Sequence, residues 1–203
     1  MPGANDLLQP QDLPADWGDD AVVLVQNEVP SAVTYHVILA ASRRGATVIW
    51  NPAPAPAELP PAGVLAGVSF LIVNESELAA ISGYAKPGCH RLDEHADCLV
   101  TYGVRQLVVT LGDAGALLVT PGGRRSLPVP PVDAEDAVGA GDCFAGTFTA
   151  RIAAGKSPLA AAARAVAAAS LSVTRHGAQP SMPTAQEVDR YLESVDTPLR
   201  GCL

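Results

Sequence analysis

Five short runs rich in apolar and β-branched residues recur along this chain, at Ala21 to Val25, Ala46 to Trp50, Val68 to Val73, Gln106 to Leu111 and Gly115 to Thr120. Helical patterns lie between several of them. Strands that are apolar along their whole length are buried on both faces, and strands alternating with helices imply crossover connections. The pattern therefore predicts an α/β fold with a mainly parallel central sheet flanked by helices. The clearest helix starts at Ser31, the expected cap. Its apolar positions are Val33, Val37, Ile38 and Ala41, Arg43 and Arg44 suit its negative end, and Gly45 closes it. Ser157-Pro158 opens an alanine-rich helix to about Ser172, and Thr184 with Glu187 has the spacing of a capping box for the last helix. Pro52 to Pro61 reads as a proline-rich loop rather than a linker.

At 203 residues, 48% hydrophobic and 17% charged, the chain can bury one sizeable core, so residues 1–203 read as a single domain. A formal charge of -8 argues against nucleic acid or a membrane surface as partner, because no basic cluster exceeds Arg43-Arg44 or Arg124-Arg125. No stretch approaches the ~20 apolar residues of a membrane span, and the start lacks a signal-peptide pattern. The expected location is the cytoplasm. Cys89, Cys98, Cys143 and Cys202 contain no CxxC pair, which suits reduced thiols. Cys89-His90 with His95 and Cys98 is the one group with a metal-site look. His95 and Cys98, however, share an amphipathic run with Leu92, Ala96 and Leu99, so packing is the expected role.

In open α/β sheets, ligands bind beyond the carboxyl ends of the strands. Asn51, Asn74, Gly112 and the turn Asp136-Ala137-Val138-Gly139-Ala140-Gly141-Asp142 each follow such an end or lie beside one. In the turn, small residues at 139 to 141 offer bare backbone N–H groups to an anion, and Asp142 sets a carboxylate at the entrance of the helical run Cys143 to Ala154. An anion cradle beside a base suits phosphoryl transfer. Glycines followed by an Asp also start ordinary helices, so the motif alone leaves both readings open. The same holds for Asn74 and Glu77, whose spacing fits either a metal and phosphate site or a capping box, and for Thr110 to Gly115, which fits a turn between two strands.

The 136–142 segment resembles the GAGD signature of the ribokinase family, also called the PfkB sugar kinases. Pro2-Gly3-Ala4-Asn5, Asn51-Pro52-Ala53-Pro54-Ala55, Asn74-Glu75-Ser76-Glu77 and Val173 to Ser181 (VTRHGAQPS) resemble further motifs of that family in the same order. The second and last of these are most similar to ribokinases proper, and the resemblance runs to about Leu192. It implies a ribokinase-like three-layer fold that phosphorylates ribose on its primary 5-hydroxyl, giving ribose 5-phosphate and ADP. Kinases of deoxyribose, fructose or nucleosides are the alternatives within the family. A non-catalytic homologue that binds a nucleotide or a partner is the alternative outside catalysis. Family members carry a further front segment with the first strands, a Gly/Asn-rich sugar site and a β lid. The expectation is therefore an N-terminally truncated fold without a lid, acting as a homodimer or with a complementing chain.

The resemblance also assigns roles. It makes Asp142 the general base beside the sugar, and the N–H groups of Gly139, Ala140 and Gly141 the anion hole. ATP would meet Asn74, Thr110, Gly112, Gly115, Gly141 and Val166, the last where relatives often place a polar residue near the adenine. Asn74 and Glu77 would organise Mg²⁺, through water. Glu28, in Gln26-Asn27-Glu28-Val29-Pro30, matches the residue by which ribokinases hold a sugar hydroxyl. Asp136 and Ser181, with backbone groups of Val138, Ser172, Arg175 and Gly177, map onto a K⁺ site behind the cradle. Ala137 and Val138 depart from the usual Thr-Thr there, although backbone carbonyls need no particular side chain.

Overall fold

The computed structural model describes residues 3–13, 18, 20–85, 88, 91–129, 132–195 and 197–202. Six strands, β1 (Val22–Gln26), β2 (Thr47–Asn51), β3 (Phe70–Asn74), β4 (Leu107–Thr110), β5 (Ala116–Thr120) and β6 (Gly123–Leu127), form one sheet in sequence order. The helices are α1 (Ser31–Arg43), α2 (Ala62–Gly67), α3 (Glu75–Ala85), α4 (Leu92–Thr101), α5 (Ala140–Ala153), α6 (Pro158–Ser172) and α7 (Ala185–Ser194). β1 runs parallel to β2 with Val22 opposite Thr47 and Gln26 opposite Asn51, and β2 runs parallel to β3 with Trp50 opposite Leu71. The links from β4 to β5 and from β5 to β6 are too short for a crossover, so these strands turn back on each other.

Sequence reading finds the first five strands and misses β6. Its Arg124, Arg125 and Ser126 are all exposed, so it carries no apolar alternation to read. Its pairing comes from the tight turn before it, where Thr120 Oγ1 accepts the Gly122 N–H at 3.2 Å.

The chain divides into two compact units, residues 1–109 with 119–123, and residues 110–118 with 124–203. In the first, α1 buries the predicted stripe, with Ile38 and Ala41 fully covered, and Gly45 closes it at φ +81°. Its start differs from expectation. Pro30 is the cap residue and Ser31 the first helical one, because the Pro30 carbonyl accepts the Val33 N–H at 2.8 Å and no side-chain cap bond forms. The fully buried Trp50 meets Tyr35 edge-on at 6.2 Å and donates its indole N–H to Asn27 Oδ1 at 3.1 Å. Removing such a ring costs about 3–5 kcal/mol. His95 and Cys98 both turn to Ser82 of α3: His95 Nδ1 lies 2.6 Å from the Ser82 hydroxyl, and the Cys98 thiol donates to its carbonyl at 3.7 Å. Cys89 and His90 lie outside the described residues.

In the second unit, α6 is buried almost all round, with Ala161, Ala162, Ala163, Ala165 and Ala167 at 0% exposure. Small side chains let it pack closely on α5, where Phe144 and Phe148 stack one turn apart with centroids 6.4 Å apart. Both predicted caps form. Ser157 Oγ accepts the Ala160 N–H at 3.2 Å, and Thr184 with Glu187 closes α7. Val188 and Leu192 of α7 face inward, and Arg164 ties α6 to α7 through Asp189 at 2.5 Å and the Ala185 carbonyl at 2.9 Å. Among the described residues, no helix is long and apolar enough to cross a membrane.

Candidate active site

The turn before α5 is fixed by backbone geometry. Gly139 is the cap residue at φ +81°, and a Cβ there would sit 3.0 Å from the Ala178 Cα, so both handedness and space demand glycine. Gly141 differs. It has no left-handed φ, and a Cβ there would meet nothing within 4 Å, so packing within the chain does not require a glycine. What its missing side chain provides is a bare helix entrance, the surface an anion needs for close approach. α5 starts with no side-chain cap bond, and Asp142 is exposed on its first turn. One expected donor is spent differently. The Ala140 N–H bonds the Ala137 carbonyl at 3.2 Å, because Gly139 closes a tight turn there. Of the three N–H groups expected in the anion hole, that of Ala140 thus has a partner within the turn.

Asp136 holds the turn in place. Its Oδ1 accepts the Val138 N–H and its Oδ2 the Gly177 N–H, both at 2.9 Å. The Gly177 bond foremost, then the Val138 bond, holds its carboxyl below the usual range, with His176 at 4.0 Å adding to the effect. Beside it, the Glu135 and Asp136 N–H groups both donate to the Val173 carbonyl, at 2.7 and 3.1 Å. Residues 135–139 are therefore stitched to 173–178. Of the other positions assigned to K⁺, the fully buried Ser181 donates its hydroxyl to Ala178 O at 2.7 Å, and the Ser172 carbonyl accepts the Arg175 N–H at 3.2 Å. Gly177 lies in the same loop, and the Val138 side chain is 61% exposed. Carboxylate and hydroxyl oxygens keep lone pairs beyond these bonds, so the donor set fits a hard cation.

In the turn after Thr110, Leu111 N–H donates to Gly115 O at 2.8 Å. A Cβ on Gly115 would fall 2.0 Å from the Leu127 carbonyl, so glycine is required there by the chain's own packing; at Gly112 the space is open. Val166, expected beside the adenine, is 2% exposed on α6 and packs in the core.

In the first unit, the ends of β1, β2 and β3 are joined by an amide ladder: Gln26 Nε2 donates to Asn51 Oδ1, and Asn51 Nδ2 to the Ile72 carbonyl, each at 2.9 Å. Sequence reading missed Asn27. This residue accepts from Trp50 and donates its side-chain amide to Pro54 O at 2.8 Å, pinning the proline-rich loop beside Glu28. A cavity of about 540 Å³ opens there, lined by Asn5, Asp6, Asn27, Glu28, Pro30 and Pro54 among others. Glu28 is thus exposed at this cavity, and the Gly3-Ala4-Asn5 motif contributes Asn5 to its wall.

Asn74 and Glu77 form the capping box in full: the Asn74 N–H donates to Glu77 Oε2 at 2.9 Å, and the Glu77 N–H to Asn74 Oδ1 at 2.8 Å. Burial pushes the half-buried Glu77 carboxyl up, against the pull of the Asn74 bond. No group of three or more His, Cys, Asp or Glu able to hold a metal ion occurs among the described residues. Mg²⁺ habitually keeps several waters and takes only one or two carboxylates plus substrate phosphates, so Glu77 with Asn74 fits that ion and not a closed protein cage.

The profile of the pfkB family carbohydrate kinases matches residues 14–185. Deoxyribokinase of Salmonella typhi is 33% identical over 193 residues, covering 94% of this chain and 63% of its own length. Ribokinase of Staphylococcus aureus is 31% identical, over 93% of this chain and 62% of its own. Ribokinase from Thermotoga maritima superposes with a TM-score of 0.85 at 34% identity, over 96% of this chain and 64% of its own. The Arabidopsis thaliana ribokinase complexed with ribose and ATP gives 0.79 at 27% identity, with the same coverage. The chain thus spans just under two thirds of the length of each of these relatives.

Proposed function

Because the chain belongs to the pfkB family of carbohydrate kinases, we propose that it carries the phosphoryl-transfer half of an ATP-dependent sugar kinase, with ribose as acceptor. The observation that carries this reading is the start of α5, where a glycine-built, uncapped helix entrance stands beside the exposed Asp142. The primary 5-hydroxyl of the sugar attacks the γ-phosphorus of ATP, the bond from that phosphorus to the β–γ bridging oxygen breaks, and ADP leaves. Asp142 takes the hydroxyl proton as the new O–P bond forms, a contribution of ~10²- to 10⁴-fold. Backbone donors at Gly141 and the positive end of α5 hold charge on the moving group, one well-aimed donor being worth ~10²- to 10³-fold.

Glu28, with Asn5, Asp6 and Asn27 on the same cavity wall, offers hydrogen-bonding groups that suit a polyhydroxyl acceptor. Gly112 and the turn around it would lie against the nucleotide. Mg²⁺, held through water by Asn74 and Glu77, would neutralise phosphate charge, and K⁺ would be held by Asp136, Ser181 and nearby carbonyls. The reaction would run in the cytosol, with a second copy of the chain or another chain as partner. Ribose is preferred over deoxyribose because the VTRHGAQPS and NPAPA strings are most similar to ribokinases proper. Coupled ADP release with ribose, 2-deoxyribose and fructose, in Mg²⁺ with and without K⁺, tests it. Fastest release with ribose is the expected result. Faster release with another sugar corrects the acceptor, and no release with any of them, together with no ATP binding by calorimetry, rejects the kinase.

A further inference from the structure

The Glu187 carboxylate faces two ways. Its Oε2 closes the cap of α7, accepting the Thr184 N–H at 2.7 Å and the Thr184 hydroxyl at 2.8 Å. Its Oε1 accepts from Arg175 Nη2 at 2.7 Å. A cap alone needs only the first oxygen. The second is committed to a side chain from the loop after α6, and the pair is only partly shielded, with 39% of the Arg175 side chain and 29% of that of Glu187 exposed. Surface pairs of this kind add little to global stability. Their value lies in what they hold.

Arg175 sits inside the segment to which the anion turn is stitched. The Val173 carbonyl takes the Glu135 and Asp136 N–H groups, and the Gly177 N–H reaches Asp136 Oδ2 at 2.9 Å. Asp136 in turn takes the Val138 N–H at 2.9 Å, and Gly139 lies so close to Ala178 that a Cβ would come within 3.0 Å of its Cα. A continuous set of bonds and close contacts therefore runs from the first turn of α7, through Glu187 and Arg175, along residues 173–178, to the cap residue of α5. Apart from the side-chain pair itself, the links run through backbone groups, and the last is the close approach of Gly139 to Ala178.

We propose that the Arg175–Glu187 pair is a positioning brace that holds the 173–178 loop against Gly139 and so sets the backbone of the anion turn. It rests on the phosphoryl-transfer reading for its consequence, but not for its geometry. Neither residue touches the reacting atoms; both act through the loop.

Glu187→Gln separates brace from cap, because the amide still completes a capping box but carries no charge for Arg175. Arg175→Met keeps the stem of the side chain and removes the charge, and Arg175→Lys returns the charge. Thr184→Ala removes the cap and leaves the pair. Two readouts on the 203-residue chain distinguish the roles: the amide signals of Gly139 and Gly141 in a ¹⁵N-glycine-labelled sample, and calorimetric titration with Mg-ADP. Glu187→Gln and Arg175→Met are expected to move both glycine signals and weaken Mg-ADP roughly 3- to 30-fold, the range of coupling through a packed network. Arg175→Lys is expected to recover part of both, and Thr184→Ala to lower Tm while leaving the glycine signals in place. Unmoved glycine signals in Arg175→Met and Glu187→Gln overturn the brace, as does a shift in Thr184→Ala that tracks Tm. Failure of Mg-ADP to bind the unsubstituted chain defeats the kinase reading, and the glycine signals then still decide the brace.

Discussion

Helices α5 and α7 lie in the same unit and begin in opposite ways. At α7 two side chains spend their polar atoms on the first-turn donors: Glu187 N–H bonds Thr184 Oγ1 at 3.3 Å, and the Glu187 carboxylate returns to the Thr184 N–H. α5 begins at Gly139 with no side-chain cap bond. A cap is worth ~1 kcal/mol, so the open entrance gives up stability that the same unit secures elsewhere. What the difference teaches is that, within this unit, α6 and α7 start on side-chain caps from Ser157 and Thr184 while α5 starts on a glycine without one. On the phosphoryl-transfer reading, that start presents the Gly141 N–H and the positive end of α5 to an anion, with Asp142 on the same turn.

The sharpest way to break this contrast is Asp142→Asn. If α5 were an ordinary helix like α7, the loss of an N-terminal charge would cost only ~0.3–1 kcal/mol and nothing else. As a base, Asp142 is irreplaceable by an amide. Turnover in the coupled ADP assay is expected to fall at least ~10²-fold with Mg-ADP affinity little changed. Retained turnover with a lowered Tm would make α5 the equal of α7.

The two glycines of the turn divide structure from chemistry. Gly139→Ala forces a left-handed residue into contact with Ala178, so a stability loss of ~1–3 kcal/mol is expected in thermal or urea unfolding. Gly141→Ala enters open space and trades glycine for the best helix former. Stability is expected to rise by up to ~1 kcal/mol while Mg-ADP binding weakens. Equal stability losses at both positions would mean that Gly141 serves packing after all.

How much of this was legible in sequence follows the range of the interactions. Local signals read well: the apolar runs gave β1 to β5, and Ser157, Thr184 and Gly45 behave as their types and spacing predict. β6 was invisible because its residues face solvent and its pairing comes from the adjoining turn. Ser31 was misplaced by one residue because Pro30, with its fixed φ, supplies the first helical carbonyl itself. In the site, the 136–142 turn and Glu28 stood out by type. Nothing local signals that Asp136 bonds Gly177, or that Asn27 links Trp50 to Pro54, since both partners lie far off in the chain. The bond from the Ala140 N–H to the Ala137 carbonyl is equally hidden, because which N–H groups point outward depends on where the preceding turn closes.

A third helix entrance sharpens the contrast at a smaller scale. α3 carries the same reciprocal cap as α7, yet the two glutamates are driven in opposite directions. Bonds from the Thr184 N–H and hydroxyl, then from Arg175, hold Glu187 at about 2, whereas burial pushes Glu77 above its ordinary 4.5. The signs for stability follow. A lowered carboxyl contributes stability that is present above 4.5 and is lost as pH falls toward 2. A raised one contributes only at low pH, and its contribution is lost as pH rises through the folded value. At neutral pH the Glu77 charge therefore burdens the fold, a burden that an arriving cation would relieve. Glu77→Gln keeps the cap and removes the charge, so Tm relative to the unsubstituted chain is expected to hold or rise slightly, with the gap widening as pH is raised from 4 to 7 by an amount of order ~1 °C or more. Glu187→Gln is expected to show a deficit that shrinks as pH falls. If Glu77 serves Mg²⁺, Glu77→Gln also raises the Mg²⁺ needed for half-maximal ADP release. A Tm loss at neutral pH with an unaltered Mg²⁺ titration would instead make α3 a second copy of the α7 entrance, closed and structural.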